Sequence, residues 1–305
     1  MRNTFAQTFY EAARNDPRLA VVVADISPAG AMDRFRKEFP GRFINTGVAE
    51  QIMIGICAGM SLRGLKPFAY TIATFALYRP FEFIRVDLCY QNLPVTVVGI
   101  GGGVTYSTLG GTHHAQEDVA IACAVPNLRV IAPCDPAETR AATLWCIAQE
   151  DGPVYLRLGK AGEPDLTSGA PEGFEFGKVR FLKRGSDLCI LGYGPTLKIG
   201  FQLAEKLESR GISASIVSAH TLKPLDEEGI GAILAAHESV VVIEEMAPRG
   251  GLCDAVKRIA WDRQARCQVE CFALRDEFIH QYGKHEELLA AHGLSLDEMS
   301  RRLQA

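Results

Sequence analysis

One glutamate and a pair of histidines are the residues best placed to do chemistry. In "RFINTGVAEQ", residues 42–51, Glu50 precedes "IMIGICAGMSL", eleven residues without a charge. A carboxylate beside so much apolar surface is costly unless something pairs with it. Gly47 supplies a turn after the strand-like "RFIN", and a helix is expected to start near Val48. Glu50 then falls in the first turn, where the helix dipole stabilises an anion. Beneath it lie Met53, Ile54, Cys57 and Ala58, whose low polarity favours the neutral acid instead. By spacing alone, an acid at a helix N-terminus without chemistry fits the stretch better than a proton-transfer group does.

The segment "TFALYRPFEFIRVDLCYQN" predicts one helix over residues 75–91 with two stripes. Leu77, Phe81, Ile84 and Leu88 read as core, whereas Phe75, Tyr78, Arg79, Glu82 and Arg85 mix aromatics with charge on another face. Core filler flanked by an ion-pair ladder is the alternative. "GIGGGVTYSTLGGTHHAQED" then places glycines after a strand, but Gly99, Gly101 and Val104 miss the G-x-G-x-x-G spacing. A long glycine-rich loop ending in His113 and His114 suits an active-site loop better, with at most one of the two facing a given site. No CxxC pair exists among nine cysteines, and Cys267 and Cys271 in "CQVEC" lack a matching histidine, so no metal site is expected. Cys57, Cys89, Cys123, Cys146 and Cys189 sit in apolar stretches as small hydrophobes.

The elements that must position these residues alternate in type. "LAVVVAD", "FAYTIAT", "LPVTVVGI", "LRVIAP" and "PVYLRL" read as strands of a first half, and "DLCILGYG", "ISASIVSA", "SVVVIEE" and "CQVECFAL" as strands of a second. Helices are expected over 30–38, 48–63, 75–91, 117–124 and 136–149, then over 195–210, 226–236, 250–261 and 284–303. Such alternation predicts an α/β chain of two three-layer domains with mainly parallel sheets. "AGEPDLTSGAPEGFEFG" is rich in Gly, Pro and acids, and divides the chain into residues 1–162, a linker at 163–178 and residues 179–305. The 305 residues carry a net charge of −4, which gives no basic surface for nucleic acid. No bilayer-length apolar run and no signal-peptide core occur, so a cytoplasmic protein is expected.

Four stretches together resemble the transketolase family of thiamine-diphosphate enzymes: "RFINTGVAEQIMIGICAGMSLRGLKPFAYTIATF", "GGTHHAQEDVAIACAVPNLRVIAPCDPAET", "AHTLKPLD" and "EEMAPRGGL". The resemblance runs over essentially the whole chain but only over the family's last two domains, the pyrimidine-binding domain and the C-terminal domain. It implies that Glu50 bonds the N1′ nitrogen of the cofactor aminopyrimidine and that Phe75, Tyr78 and Phe81 pack on that ring. His113 would contact substrate. Asp25 matches an acid of an early active-site loop, and Arg2 and Lys160 fall at substrate-phosphate positions. The implied reaction moves a two-carbon ketol unit from a ketose phosphate to an aldose. His220 and the "APRGGL" turn are expected to be structural.

Three departures from the family shape the expectation. Where the family places an aspartate four residues before its loop histidine, this chain has Leu109, which cannot bond a hydroxyl; an unusual sugar substrate follows. Lys160 replaces an arginine and loses the bidentate fork. The family's "GDG" and distant Asn, which hold Mg²⁺ and the diphosphate, do not appear. One subunit of a split transketolase is therefore expected, its partner supplying the diphosphate domain in an α2β2 assembly that also self-associates. Deoxyxylulose-phosphate-synthase chemistry, the beta subunit of a 2-oxo-acid dehydrogenase and a non-catalytic scaffold are the competing readings.

Overall fold

Runs of β-branched residues become strands because both faces of each run are covered. The computed structural model describes residues 1–25 and 31–303. In the first half the strands are β1 (Leu19–Val23), β2 (Phe43–Asn45), β3 (Lys66–Ile72), β4 (Thr96–Ile100), β5 (Arg129–Ile131) and β6 (Val154–Leu158). The second half adds β7 (Arg180–Lys183), β8 (Leu188–Gly192), β9 (Ala214–Ser218), β10 (Thr221–Lys223), β11 (Ser239–Ile243) and β12 (Gln268–Phe272). β1, β4, β6, β8 and β9 are buried at every position, which is why their sequences show no polar alternation.

The described strands form a seven-stranded sheet, β10-β5-β6-β4-β3-β1-β2, and a five-stranded sheet, β12-β11-β8-β9-β7. Pairing is parallel except for β10 on β5 and β7 on β9. Every expected strand is present. β10 was not expected, and it comes from the second half of the sequence yet closes the edge of the first sheet. It is three residues long and is followed by Pro224, too short to leave a pattern.

Most expected helices occur within a residue or two of their ends, with three departures. The expected 75–91 helix breaks at Tyr78–Pro80: helical Ala73–Leu77 gives way to a turn, then to Phe81–Phe83 and a π-helical stretch over Ile84–Tyr90. Pro80 lacks the amide hydrogen that would continue the ladder, so the two stripes read over this segment do not run unbroken. The expected 284–303 helix divides into His285–Ala291 and Leu296–Arg302, because Gly293 takes φ 108° between them. A helix over Arg2–Ala13 was not expected; it buries Phe5 and Phe9 against Phe68 of β3. The start of the 30–38 helix at residue 30, and residues 304–305, lie outside the described residues.

The stretch expected as a linker carries no helix or strand, yet it is docked along its length. Thr167 gives its N–H and its hydroxyl to Asp135 Oδ2, at 2.9 and 2.8 Å. Phe174 stacks on His220 with ring centroids 4.2 Å apart, and Phe176 on Trp145 at 3.7 Å.

Candidate active site

The candidate residues gather at the carboxyl ends of parallel strands, where open α/β sheets present their loops. Asp25 follows β1, Glu50 follows β2, Phe75 follows β3, the 101–115 loop follows β4 and Lys160 follows β6. Asn45, the last residue of β2, ties two of these ends together. Its Oδ1 accepts the Asp25 N–H at 3.1 Å and the Gly47 N–H at 3.0 Å. Gly47 adopts φ 67°, the left-handed turn expected ahead of the helix.

Glu50 opens the helix Glu50–Leu62 and is 3% exposed, over buried Met53, Ile54, Cys57 and Ala58. Its charge is met by Arg79, whose Nη1 donates to Glu50 Oε1 at 2.9 Å. The same guanidinium lies over the face of Phe75, 4.3 Å from the ring centroid. No other hydrogen bond or ion pair reaches the Glu50 side chain among the described residues. Arg79 itself sits in the turn that Pro80 creates, so the helix break brings it back over Glu50.

Phe75 meets His113 edge to face, with centroids 5.1 Å apart. Thr112 Oγ1 bonds His113 Nδ1 at 2.9 Å and sets the ring. Burial, with the Arg79 cation adding to it, holds the His113 imidazole below its usual range and so in its neutral form. His114 is 3% exposed, so His113 is the accessible member of the pair. Tyr106 also meets His113 edge to face, its centroid 6.2 Å away, and carries the Lys160 ammonium 5.2 Å from its own centroid. Burial pushes the Tyr106 hydroxyl up while the nearby Arg2 cation opposes it. Arg2, Lys160 and His113 thus converge on one aromatic residue, an arrangement suited to an anionic group.

The remaining expected residues stand apart. Tyr78 is packed against the core and donates its hydroxyl to Glu117 Oε2 at 2.8 Å. Phe81 is also partly buried against that core. Leu109 sits at the loop tip, 48% exposed. Asp25 is exposed at φ 49°.

Sequence reasoning missed what holds the 101–115 loop. Glu245, fully buried after β11, accepts the Val104 N–H at 2.6 Å and bonds His285 Nε2 at 2.8 Å. Burial works to raise this carboxyl, but the His285 and Arg157 cations outweigh it and hold it below its usual range. Arg157 Nη2 donates to the Glu245 carbonyl at 3.2 Å and its Nε to Asp118 Oδ2 at 2.8 Å. Gly103 pairs with Ala115, and the Ala247 N–H reaches the Gln116 carbonyl at 2.8 Å. Both ends of the loop bearing His113 are therefore fastened to the segment after β11. The paired glutamates of "EEMAPRGGL" were the only sequence signal for this.

Comparison with known proteins agrees with the two-part organisation of the sheets. The transketolase pyrimidine-binding domain model matches residues 1–162 and the transketolase C-terminal domain model residues 177–299. An apulose-4-phosphate transketolase subunit of Phocaeicola vulgatus is 32% identical over 293 residues, covering 96% of this chain and 93% of that protein. The 6-deoxy-6-sulfo-D-fructose transketolase subunit SqwH of Clostridium sp. strain MSTE9 is 36% identical over 255 residues, 84% of this chain and 79% of that one. A solved split-gene transketolase, described as an inactive beta4 tetramer, superposes with TM-score 0.87 at 34% identity, covering 99% of this chain and 96% of that one.

Proposed function

Since the chain belongs to the transketolase family, we propose that it is the pyrimidine-binding and C-terminal subunit of a two-chain transketolase. In this reading thiamine diphosphate lies between it and a partner subunit that carries the diphosphate-binding domain and the Mg²⁺ ligands, in an α2β2 assembly. The relatives named as transketolase subunits support the division into two chains. The exposed face of the helix Glu50–Leu62 supports self-association.

The observation that carries the reading is Glu50, buried at a helix start and joined through Arg79 to the ring of Phe75, which in turn meets the imidazole of His113. These residues fit the cofactor: a carboxylate oxygen left without a partner among the described residues, and an aromatic face reached by a planar cation that a heteroaromatic ring would replace. When bound, the cofactor supplies the electron sink that lets a bond next to a ketone be cut. Glu50 holds or releases a proton at the aminopyrimidine N1′. Phe75 orients that ring; Tyr78, Phe81 and Asp25, which the resemblance also implies, stand apart from this group. Neutral His113 donates or accepts a hydrogen bond at the sugar oxygens, and Arg2 and Lys160 bind the substrate phosphate. Leu109 fits an unusual sugar substrate, or one that lacks a hydroxyl at that position, and relatives are named for apulose 4-phosphate and a sulfofructose.

The test is reconstitution with the partner subunit and a donor and acceptor screen. Ketose phosphates are expected as donors; consumption of pyruvate or a branched 2-oxo acid instead would place the chain with synthase or dehydrogenase chemistry. Glu50→Gln should lower kcat at least about 100-fold, the scale of a lost general acid–base group. Unimpaired turnover by that variant would leave a scaffold role as the better reading.

A further inference from the structure

The stretch "CQVEC" has no part in the site around Glu50, yet the fold gives one of its cysteines a partner. Cys271 lies on β12, an edge strand whose one neighbour among the described strands is β11, and its side chain is part-buried. The helix Leu252–Asp262 packs there and carries Cys253 in its first turn, 1% exposed. Cys271 Sγ lies 3.9 Å from the Cys253 carbonyl oxygen, and the two thiols are in hydrogen-bonding contact with each other. Both are free thiols. Glu244, at the end of β11, also meets Cys253. Its Oε1 accepts the Cys253 N–H at 3.0 Å, its Oε2 accepts the Leu252 N–H at 2.8 Å, and the Cys253 thiol reaches the same carboxylate.

The surroundings separate this pair from the other cysteines. Burial is the leading cause that raises seven of the nine thiols, which keeps them protonated and poor nucleophiles. Cys253 is raised too, first by its hydrogen bond to Cys271 and then by burial. Cys271 alone is held below the usual thiol range. The Cys253 hydrogen bond stabilises its thiolate, burial opposes this, and the Lys257 cation adds to the lowering against the Glu244 and Glu270 carboxylates. A part-exposed sulfur that ionises readily, next to a buried second thiol, is the arrangement through which cysteines respond to oxidants.

We propose that Cys271 and Cys253 form a reversible thiol–disulfide pair that a peroxide oxidises, with Cys271 the attacking sulfur and Cys253 the resolving one. In the first step the Cys271 thiolate attacks one peroxide oxygen, the O–O bond breaks, and Cys271 becomes a sulfenic acid while hydroxide leaves. The proton lost earlier by the Cys271 thiol converts that hydroxide to water. In the second step the Cys253 sulfur attacks the Cys271 sulfur, and the S–O bond breaks. The Cys253 proton passes through the Glu244 carboxylate beside it to the leaving hydroxide, which departs as water. Two thiols and one peroxide thus yield one disulfide and two waters. The bridge fastens the helix Leu252–Asp262 to β12 and needs no reaction at Glu50, so its test is independent of turnover.

The test uses the full, folded and reduced chain, hydrogen peroxide as the probe, and mass spectrometry of tryptic peptides as the readout. Peroxide should link the peptides 250–257 and 267–275, and dithiothreitol should release them. This pair should be consumed about tenfold or more faster than any other cysteine of the chain. The link should persist in Cys267→Ser, which leaves Cys271 as the one cysteine of the second peptide, and vanish in Cys271→Ser. In Cys253→Ser a sulfenic acid should accumulate at Cys271 and be captured by dimedone. Thermal melts establish that each variant is folded, and Cys271→Ala replaces Cys271→Ser if the serine variant is not. Oxidation first at another cysteine, no link in the natural sequence, or a link that survives loss of Cys271 would overturn the pair. A dimedone adduct on Cys253 in Cys271→Ser, with none on Cys271 in Cys253→Ser, would overturn the assignment of the attacking sulfur.

Discussion

Arg79 makes the two contacts that the proposed reading assigns to the cofactor ring: a hydrogen bond to Glu50 and a place over the face of Phe75. It compensates a carboxylate that is almost wholly buried, although Arg79 itself is 45% exposed. Removing it should therefore cost only about 1–2 kcal/mol, less than for a fully buried pair. Arg79→Ala is expected to lower the melting temperature of the chain by a few degrees. Arg79→Ala combined with Glu50→Gln should recover most of that loss, because no buried charge then lacks a partner. Thermal melts of the four proteins in this cycle measure it; equal losses in the single and double variants would mean that Arg79 acts through packing alone. Glu50, Phe75 and His113 were legible in the sequence because each lies in a distinctive local stretch. Tyr106 and Glu245 were not, since their roles come from contacts such as Val104 to Glu245, 141 residues apart.

At the scale of elements, the strands were legible because doubly buried runs of β-branched residues leave little alternative. The break at Pro80 and the edge strand β10 were not: one depends on where the turn directs Arg79, the other on a pairing between halves. The loop between β4 and the helix Asp118–Ala124 shows how such long-range contacts matter. Gly103 has φ 67°, and a Cβ there would lie 2.3 Å from Glu245 Oε1. Gly103→Ala is expected to loosen residues 103–115 without unfolding the sheets, lowering kcat of the reconstituted enzyme about tenfold or more through misplacement of His113. Hydrogen exchange and steady-state kinetics together check this; full turnover would show that the loop is placed by its own contacts. Near the docked segment, burial, with the Arg180 cation adding to it, holds His220 down to about 3. An unfolded histidine titrates near about 6.5, so between these values the unfolded chain binds the extra proton. The stability contributed by neutral His220 is complete above that upper value and is lost as pH falls toward the lower one. His220→Phe, which keeps a ring against Phe174, should make the fall in melting temperature between about pH 7 and pH 4.5 shallower. An unchanged slope would assign acid sensitivity to other groups.

For the whole molecule, the proposed assembly needs a surface that can meet its own copy. The helix Glu50–Leu62 presents one along the side opposite its buried face. Val48, just ahead of it, Ile52 and Leu62 are 69%, 58% and 63% exposed, and a Cβ added at Gly55 or Gly59 would meet nothing within 4 Å. These five positions follow the spacing of one helical stripe and carry no charge. A two-fold axis sets each residue against a residue of the same patch, so an uncharged stripe with small residues at its centre can close on itself without repulsion. An exposed apolar face of this kind is what a folded chain covers by association. The split-gene relative described as a beta4 tetramer shows that a chain of this family assembles without its partner. Gly59→Arg tests the face, because the position is helical, exposed and open, so the substitution leaves the fold intact and places a cation opposite its own copy. Light scattering on the chain alone should show a multiple of 33.2 kDa for the natural sequence and a shift towards the single-chain mass for the variant. Because Glu50 begins this helix, the same substitution should weaken cofactor binding in the reconstituted enzyme while leaving the melting temperature of the isolated chain close to its original value. A variant that still assembles would move the self-association surface to another part of the molecule.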